Sequence, residues 1–119
     1  MKGNKCNYRV NRKEGCILIT LLGEMDHHNA AIVRGEIDGM IKEERPERVE
    51  LDLSEIGFMD SSGLGFVMGR YSLTQKIGSE FVLKNPNERT VKIFELAGLE
   101  RIIKIENDTA LGEEKTNNE

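Results

Sequence analysis

Residues 49–83 read VELDLSEIGFMDSSGLGFVMGRYSLTQKIGSEFVL and contain a strand, a helix and a second strand in succession. Apolar and acidic residues alternate over 49–53, which predicts a strand with one buried face. A loop through 57–60 leads to a helix over about 62–77, and the apolar run 80–83 predicts a second core strand. Because a helix of this length joins them, the two strands are expected to be parallel, with a right-handed crossover.

The residues before this unit predict a hairpin and another helix. The apolar, β-branched run at 16–22 is typical of a buried strand, and a weaker strand near 7–10 precedes it across a polar turn. This spacing indicates an antiparallel hairpin at the edge of the sheet. Apolar residues then recur at three- and four-residue intervals, which predicts a helix over about 28–44 that ends before Pro46.

The residues after the unit predict a short helix, which begins at about 85–87 and is closed by Gly98, and a last short strand at 102–105. The expected order is therefore ββαβαβαβ. This order indicates an α/β fold, with a small mixed β-sheet of four to five strands and helices mostly on one face. We expect residues 1–106 to form a single domain and residues 107–119 to form an acidic, polar C-terminal tail.

The composition favours one soluble domain. The chain has 119 residues, the size of a single domain, and 38% of them are hydrophobic, which is enough for a core. No apolar run approaches the roughly 18 residues of a membrane span, and no signal peptide pattern is present, so we expect a cytoplasmic protein without membrane contact. The formal net charge of −4 falls entirely on residues 106–119. The neutral remainder lacks the basic face that DNA or RNA binding requires, so no nucleic-acid contact is expected.

Two loops carry most of the chemically versatile residues. They are 23–28 (Gly-Glu-Met-Asp-His-His) and 60–65 (Asp-Ser-Ser-Gly-Leu-Gly), and each leads into a predicted helix. In parallel α/β sheets, functional groups collect in the loops that follow the carboxyl ends of the strands. If the two preceding strands are neighbours, these loops meet at one edge of the sheet and form a candidate site.

The segment Asp60-Ser61-Ser62-Gly63 has two interpretations on the residues alone. The first is a helix N-cap, in which a Ser or Asp oxygen accepts hydrogen bonds from the first free amides. The second is a phosphorylation site or partner contact, since the free amides and the positive helix end would stabilise a phosphate on a serine. Glycines at 63 and 65 cost about 1 kcal/mol each relative to alanine, which favours close approach by another molecule.

Enzymatic interpretations have less support in the sequence. A serine hydrolase would use Ser61 with His27, in a triad completed by Asp26, but the serine lies in no Gly-x-Ser-x-Gly elbow. His27 and His28 diverge at a helix start, so a metal site there would need further ligands. We therefore expect no catalytic residue, no metal and no cofactor, and we keep the hydrolase as the alternative.

Three segments resemble motifs of the anti-sigma factor antagonists, which are stand-alone STAS domains. Residues 23–28 are similar to their Gly-Glu-Leu-Asp-His-His segment, and residues 58–65, followed by Gly69-Arg70-Tyr71, resemble their phosphorylation motif. Residues 94–99 (Phe-Glu-Leu-Ala-Gly-Leu) are similar to a third segment. The resemblance covers about residues 7–106 and is nearest to the antagonists of sporulation, with general-stress antagonists as near relatives.

The resemblance implies a partner switch, in which the protein is a regulator and not an enzyme. In that family, the unphosphorylated antagonist binds an anti-sigma factor, a GHKL-type serine kinase with bound nucleotide, and so releases a sigma factor for sporulation-type transcription. The kinase phosphorylates the first serine of the Asp-Ser-Ser-Gly motif, which ends binding. A PP2C-type phosphatase removes the phosphate.

Applied to this sequence, the resemblance implies that Ser61 is the phosphorylated residue. It also implies that Asp26 helps to bind the kinase and that Ser62 and Gly63 adjoin the acceptor serine in the contact surface. The other expected partner-binding residues are His27, Asp60 and Arg70.

Overall fold

The computed structural model describes residues 7–25 and 27–108 and, of Phe58, only the backbone. Within these ranges, the strands are β1 (Asn7–Lys13), β2 (Cys16–Met25), β3 (Arg48–Asp52), β4 (Ile56–Met59), β5 (Glu80–Lys84) and β6 (Lys104–Glu106). The helices are α1 (His27–Glu44), α2 (Ser61–Ile77) and α3 (Glu88–Leu96), and a 3₁₀ turn covers Leu99–Arg101. None of the helices in the described ranges is long and apolar enough to cross a membrane.

The strands form one mixed sheet in the order β1-β2-β3-β5-β6, with β4 beside the end of β2. β1 pairs antiparallel with β2 from Asn7↔Leu22 to Lys13↔Cys16 and forms the predicted edge hairpin. The pairs β2–β3, β3–β5 and β5–β6 are all parallel. The predicted α/β class and mixed sheet are therefore confirmed.

β4 is the main departure from the predicted order of elements. The sequence predicted a loop over 57–60, whereas β4 is a short parallel strand that pairs with the extended end of β2, where Met25 lies opposite Met59. The register shifts before this pair, and Gly23 has a φ of 95°, a conformation that glycine adopts without strain. A strand of four residues is too short to show a clear alternation of apolar and polar residues. The prediction of a loop over 57–60 was therefore wrong because no local pattern indicated a strand.

One face of the sheet is apolar and lies against the first two helices. Across the register, Ile19, Leu51 and Leu83 are neighbours, and all three are fully buried. α1 contributes Ile37 and α2 contributes Val67 to the same core. The prediction that helices lie mostly on one face is confirmed.

The opposite face of the sheet carries a set of ion pairs. Arg48, on the central strand β3, contacts carboxylates of β3, β5 and β6 at 2.7, 3.1 and 3.1 Å. Lys84 on β5 contacts Glu106 at 3.3 Å and Asp108 at 2.7 Å. These contacts extend past residue 106, where we predicted the domain to end, and the tail beyond Asp108 lies outside the described residues.

The helix boundaries lie close to those predicted. α1 begins at His27 and α2 at Ser61, each one residue earlier than expected. Gly78 caps the end of α2 with a φ of 80°, in the left-handed region. The last strand begins at Lys104, because the predicted start, Ile102, caps the 3₁₀ turn.

Candidate functional site

The pairing of β4 with β2 brings the two loops of the candidate site together. β2 leads through Asp26 into α1, and β4 leads through Asp60 into α2. Because Met25 and Met59 are partners at the ends of these strands, the two helices begin side by side. His27 and Ser62 accordingly line the same surface groove.

Asp60 is the N-cap of α2. Its carboxylate oxygen accepts hydrogen bonds from the backbone N–H of Ser62, at 2.9 Å, and from that of Gly63, at 3.2 Å. A capping interaction was one of the two interpretations of this segment, and the structure assigns it to the aspartate. Neither Ser61 nor Ser62 is therefore needed as the N-cap of α2.

Ser61 is the first residue of α2, and its side chain is exposed. Among the described residues, none forms a hydrogen bond to its hydroxyl group. The hydroxyl lies at the positive end of the helix dipole, a favourable place for an added phosphate group.

Gly63 and Gly65 differ in what surrounds them, although both lie near the start of α2. Gly63 is buried, and a Cβ atom there would overlap Cγ of Met59 and come within 3.0 Å of Cγ of Met25. A Cβ atom at Gly65 would meet no atom within 4 Å. Packing of α2 on β2 and β4 therefore accounts for Gly63, whereas nothing inside the described fold accounts for Gly65.

Arg70 lies inside the domain, with only 5% of its surface exposed. Its Nε is 2.7 Å from Oδ1 of Asp38 on α1, in an ion pair without hydrogen-bond alignment, and its Nη2 donates to Oδ2 at 3.1 Å. The guanidinium group also donates from Nη1 to the Phe66 carbonyl oxygen and stands 4.8 Å from the Phe66 ring centroid. Burial lowers the pKa of Arg70, and the Asp38 carboxylate opposes that shift. Arg70 thus ties α2 to α1.

The remaining predicted residues divide by what the structure describes. His27 and His28 are exposed at the start of α1. Asp26 lies outside the described residues, so the triad of Asp26, His27 and Ser61 has no described geometry. Within the described ranges, no three side chains of the metal-binding types come together.

A groove of about 380 Å³ separates the first turns of α1 and α2. Its lining consists of His27, Ala30, Ala31 and Arg34 from α1, with Ser62, Gly65 and Phe66 from α2. Arg34 and Phe66 were not among the residues expected from the sequence. The signal that could have found Arg34 is its helical spacing, since it lies two turns after His27 on the same face of α1.

Comparisons with known proteins agree with the motifs. A family model described as STAS domain matches residues 7–111. The anti-sigma F factor antagonist of Paenibacillus polymyxa is 36% identical over 96 residues, which are 81% of this chain and 82% of that protein. The anti-sigma-B factor antagonist of Bacillus subtilis (strain 168) is 30% identical over 99 residues, 83% of this chain and 89% of that protein.

Solved structures show the same fold. The anti-sigma factor antagonist SpoIIAA in its unphosphorylated form matches with a TM-score of 0.75 at 27% identity, covering 87% of this chain and 89% of that one. The Bacillus cell fate determinant SpoIIAA in the phosphorylated form matches with a TM-score of 0.71 at 27% identity, covering 87% of this chain and 92% of that one. The chain therefore resembles both forms of SpoIIAA in architecture.

Proposed function

The chain belongs to the STAS domain family, and from that premise we propose that it is an anti-sigma factor antagonist. The family match confirms the resemblance found in the three sequence segments. The relatives at 36% and 30% identity are themselves antagonists of anti-sigma F and anti-sigma-B factors. They are regulatory binding proteins. We therefore assign Ser61 as the residue that a separate kinase phosphorylates, and not as the nucleophile of a hydrolase that also uses His27.

We propose that the unphosphorylated protein binds an anti-sigma factor in the cytoplasm and thereby releases a sigma factor for sporulation-type transcription. The anti-sigma factor is a GHKL-type serine kinase with bound nucleotide. In the phosphorylation step, the Ser61 oxygen attacks the γ-phosphorus of ATP, the hydroxyl proton is lost and ADP leaves. A PP2C-type phosphatase hydrolyses the phosphoserine and restores the binding form.

The observation that carries this proposal is the position of Ser61. It is exposed at the first residue of α2, while Asp60 supplies the helix cap. A kinase can therefore modify the hydroxyl group without removing a hydrogen bond on which the fold depends. The phosphate would lie at the positive end of the helix, which stabilises its charge.

Loss of binding follows from charge and bulk at the contact surface. A phosphoserine carries about −1.5 to −2 charges at neutral pH. In the free protein this charge is hydrated, but in a docked complex it would be desolvated next to the Asp60 carboxylate. Since each 1.4 kcal/mol of repulsion weakens binding about tenfold, a few kcal/mol switches the complex off. The likeness of this chain to both forms of SpoIIAA supports a switch that leaves the fold in place.

The proposed contact surface comprises residues with two different roles. His27 and Ser61 are exposed and Asp60 and Ser62 are half-buried, so their side chains are available to a partner, as we propose for Asp26. Gly63 and Arg70 are buried, so we propose that they act on the same surface from below, by holding α2 against β4 and α1.

The test compares the wild-type protein with Ser61→Ala and Ser62→Ala, each mixed with the purified cognate anti-sigma factor and ATP. We expect mass spectrometry to find phosphate on the wild type and on Ser62→Ala, and none on Ser61→Ala. Calorimetry should show that Ser61→Ala still binds the anti-sigma factor. Phosphate mapped to Ser62, or no binding by the wild type, would contradict the proposal.

A further inference from the structure

The groove between α1 and α2 has an apolar floor and a charged rim. Phe66 and Ala30 form the floor and are only 3% and 9% exposed. Arg34 stands at the rim, and its side chain is exposed. A volume of about 380 Å³ is at the small end of the range for binding pockets and accepts a large apolar side chain.

Gly65 keeps one wall of this groove open. Helical glycine is unfavourable relative to alanine, and the described fold gives no steric reason for it here, because an added Cβ would meet no atom within 4 Å. Gly63, two residues earlier, has such a reason in Met59. Gly39 is as free of such contacts as Gly65, but Gly39 is not part of the groove lining. What connects Gly65 with the groove is therefore its position there, where a side chain would reduce the open space.

Arg34 supplies a charge without an ion-pair partner among the described residues, in contrast to Arg70. The guanidinium group of Arg70 is held by Asp38, whereas Arg34 faces solvent. The positive charge of Arg34 also opposes that of Arg70, and it contributes, after burial, to the lowered pKa of Arg70. A carboxylate brought to the rim would neutralise Arg34 and relieve this repulsion.

We infer that this groove receives a large apolar side chain of the anti-sigma factor, whose neighbouring carboxylate pairs with Arg34. The inference rests on the proposed function and names the chemistry that the partner presents. It assigns recognition roles to Arg34, Gly65 and Phe66, next to the serine that is phosphorylated. The apolar side chain fills the groove and contacts its floor. The carboxylate, paired with Arg34, orients that side chain along α1.

The first test fills the groove with Gly65→Leu and uses Gly39→Leu as its matched control. Both glycines are exposed in helices, and an added Cβ meets no atom within 4 Å at either position. Thermal unfolding should show an unchanged or raised midpoint for both variants. In calorimetry with the anti-sigma factor that the wild type binds, Gly65→Leu should lose at least tenfold in affinity and Gly39→Leu less than twofold.

The second test reverses the rim charge with Arg34→Glu and uses Arg101→Glu, in the 3₁₀ turn, as a control of equal net charge. Arg34→Glu should weaken binding about tenfold at low salt, and the difference from the wild type should shrink at high salt. Arg101→Glu should stay within twofold of the wild type.

The outcomes separate this inference from the proposed function. If the wild type binds the anti-sigma factor but Gly65→Leu binds as tightly as Gly39→Leu, the groove assignment is overturned and the proposed function stands. Equal affinities of Arg34→Glu and Arg101→Glu would overturn the role of the carboxylate. If the wild type binds no anti-sigma factor, the proposed function fails, and the inference fails with it.

Discussion

The first turn of α2 and its third turn belong to one helix but face different surroundings. In the first turn, the Ser61 side chain is exposed and the cap hydrogen bonds come from Asp60. In the third turn, Arg70 is buried, paired with Asp38 and stacked over Phe66. The comparison indicates that an exposed residue proposed for modification can lie on a helix whose stability depends on other residues. Substitutions along α2 should therefore separate stability from binding.

The largest expected effect on stability is at Arg70. Arg70→Ala should lower the free energy of unfolding by about 3 kcal/mol, because it leaves the Asp38 carboxylate without its partner. The value is at the lower end for a buried pair, since the Asp38 side chain is 23% exposed. Urea unfolding measures it, and a double-mutant cycle with Asp38→Ala should give a coupling of at least 1 kcal/mol, on the order typical of contacting residues. A loss below about 0.5 kcal/mol would show that the third turn does not hold the helices together.

Gly63→Ala should cost about 2 kcal/mol, since the new methyl group overlaps the buried Met59 side chain, which must shift within the core. Gly65→Ala is the matched control, because its methyl group meets no atom and removes a helical glycine. That control should gain up to about 1 kcal/mol in stability. Chemical denaturation of the two variants measures the expected loss of stability at position 63 and the expected gain at position 65. Losses of equal size at both positions would refute the packing role of Gly63.

Asp60→Ala should cost about 1 kcal/mol through loss of the hydrogen bonds to Ser62 and Gly63. Asp60→Asn should cost only a few tenths, because asparagine caps helices about as well as aspartate. Thermal unfolding compares the two variants. If they are equally destabilised, the negative charge and not the cap hydrogen bond is what stabilises the first turn.

The smallest effect on stability is expected at Ser61, where we propose the largest effect on function. Ser61→Ala should change the free energy of unfolding by no more than about 0.5 kcal/mol, as for other exposed positions. In amide NMR spectra, phosphorylation of the wild type should shift signals near 23–28 and 60–65. Widespread shifts through β5 and α3 would mean that phosphorylation changes the fold and that the two turns are coupled.

The periodic parts of the fold were predictable from the sequence, and the parts that depend on a partner strand were not. Alternation over 49–53 and apolar spacing over 62–77 found β3 and α2, because each pattern is local. β4 has no such pattern, because what makes it a strand is the end of β2, roughly thirty residues earlier in the chain. For the same reason, the meeting of the two loops could be predicted only on the condition that the strands before them are neighbours in the sheet.

The site divides in a similar way. Ser61 was predicted as a site residue from its motif and its place at a helix start, both of which are local signals, and its role stays a prediction. The burial of Arg70 was not predicted, because arginine is usually exposed and its partner Asp38 lies 32 residues away. Arg34 was missed because the groove exists only where α1 and α2 pack together.

The short strand β4 has a thermodynamic consequence for recognition. Loops that become ordered only on binding lose conformational entropy at that moment, at about 1–2 kcal/mol per backbone residue. Here Gly23 and Met25 are already held by strand pairing with Ile56 and Met59 when the chain folds. The conformational entropy of this edge is thus lost during folding. When a partner binds, a smaller entropy cost then opposes the favourable energy of the contacts. A preorganised edge also binds without waiting for a loop to rearrange, so loop ordering should not slow association with the proposed partner.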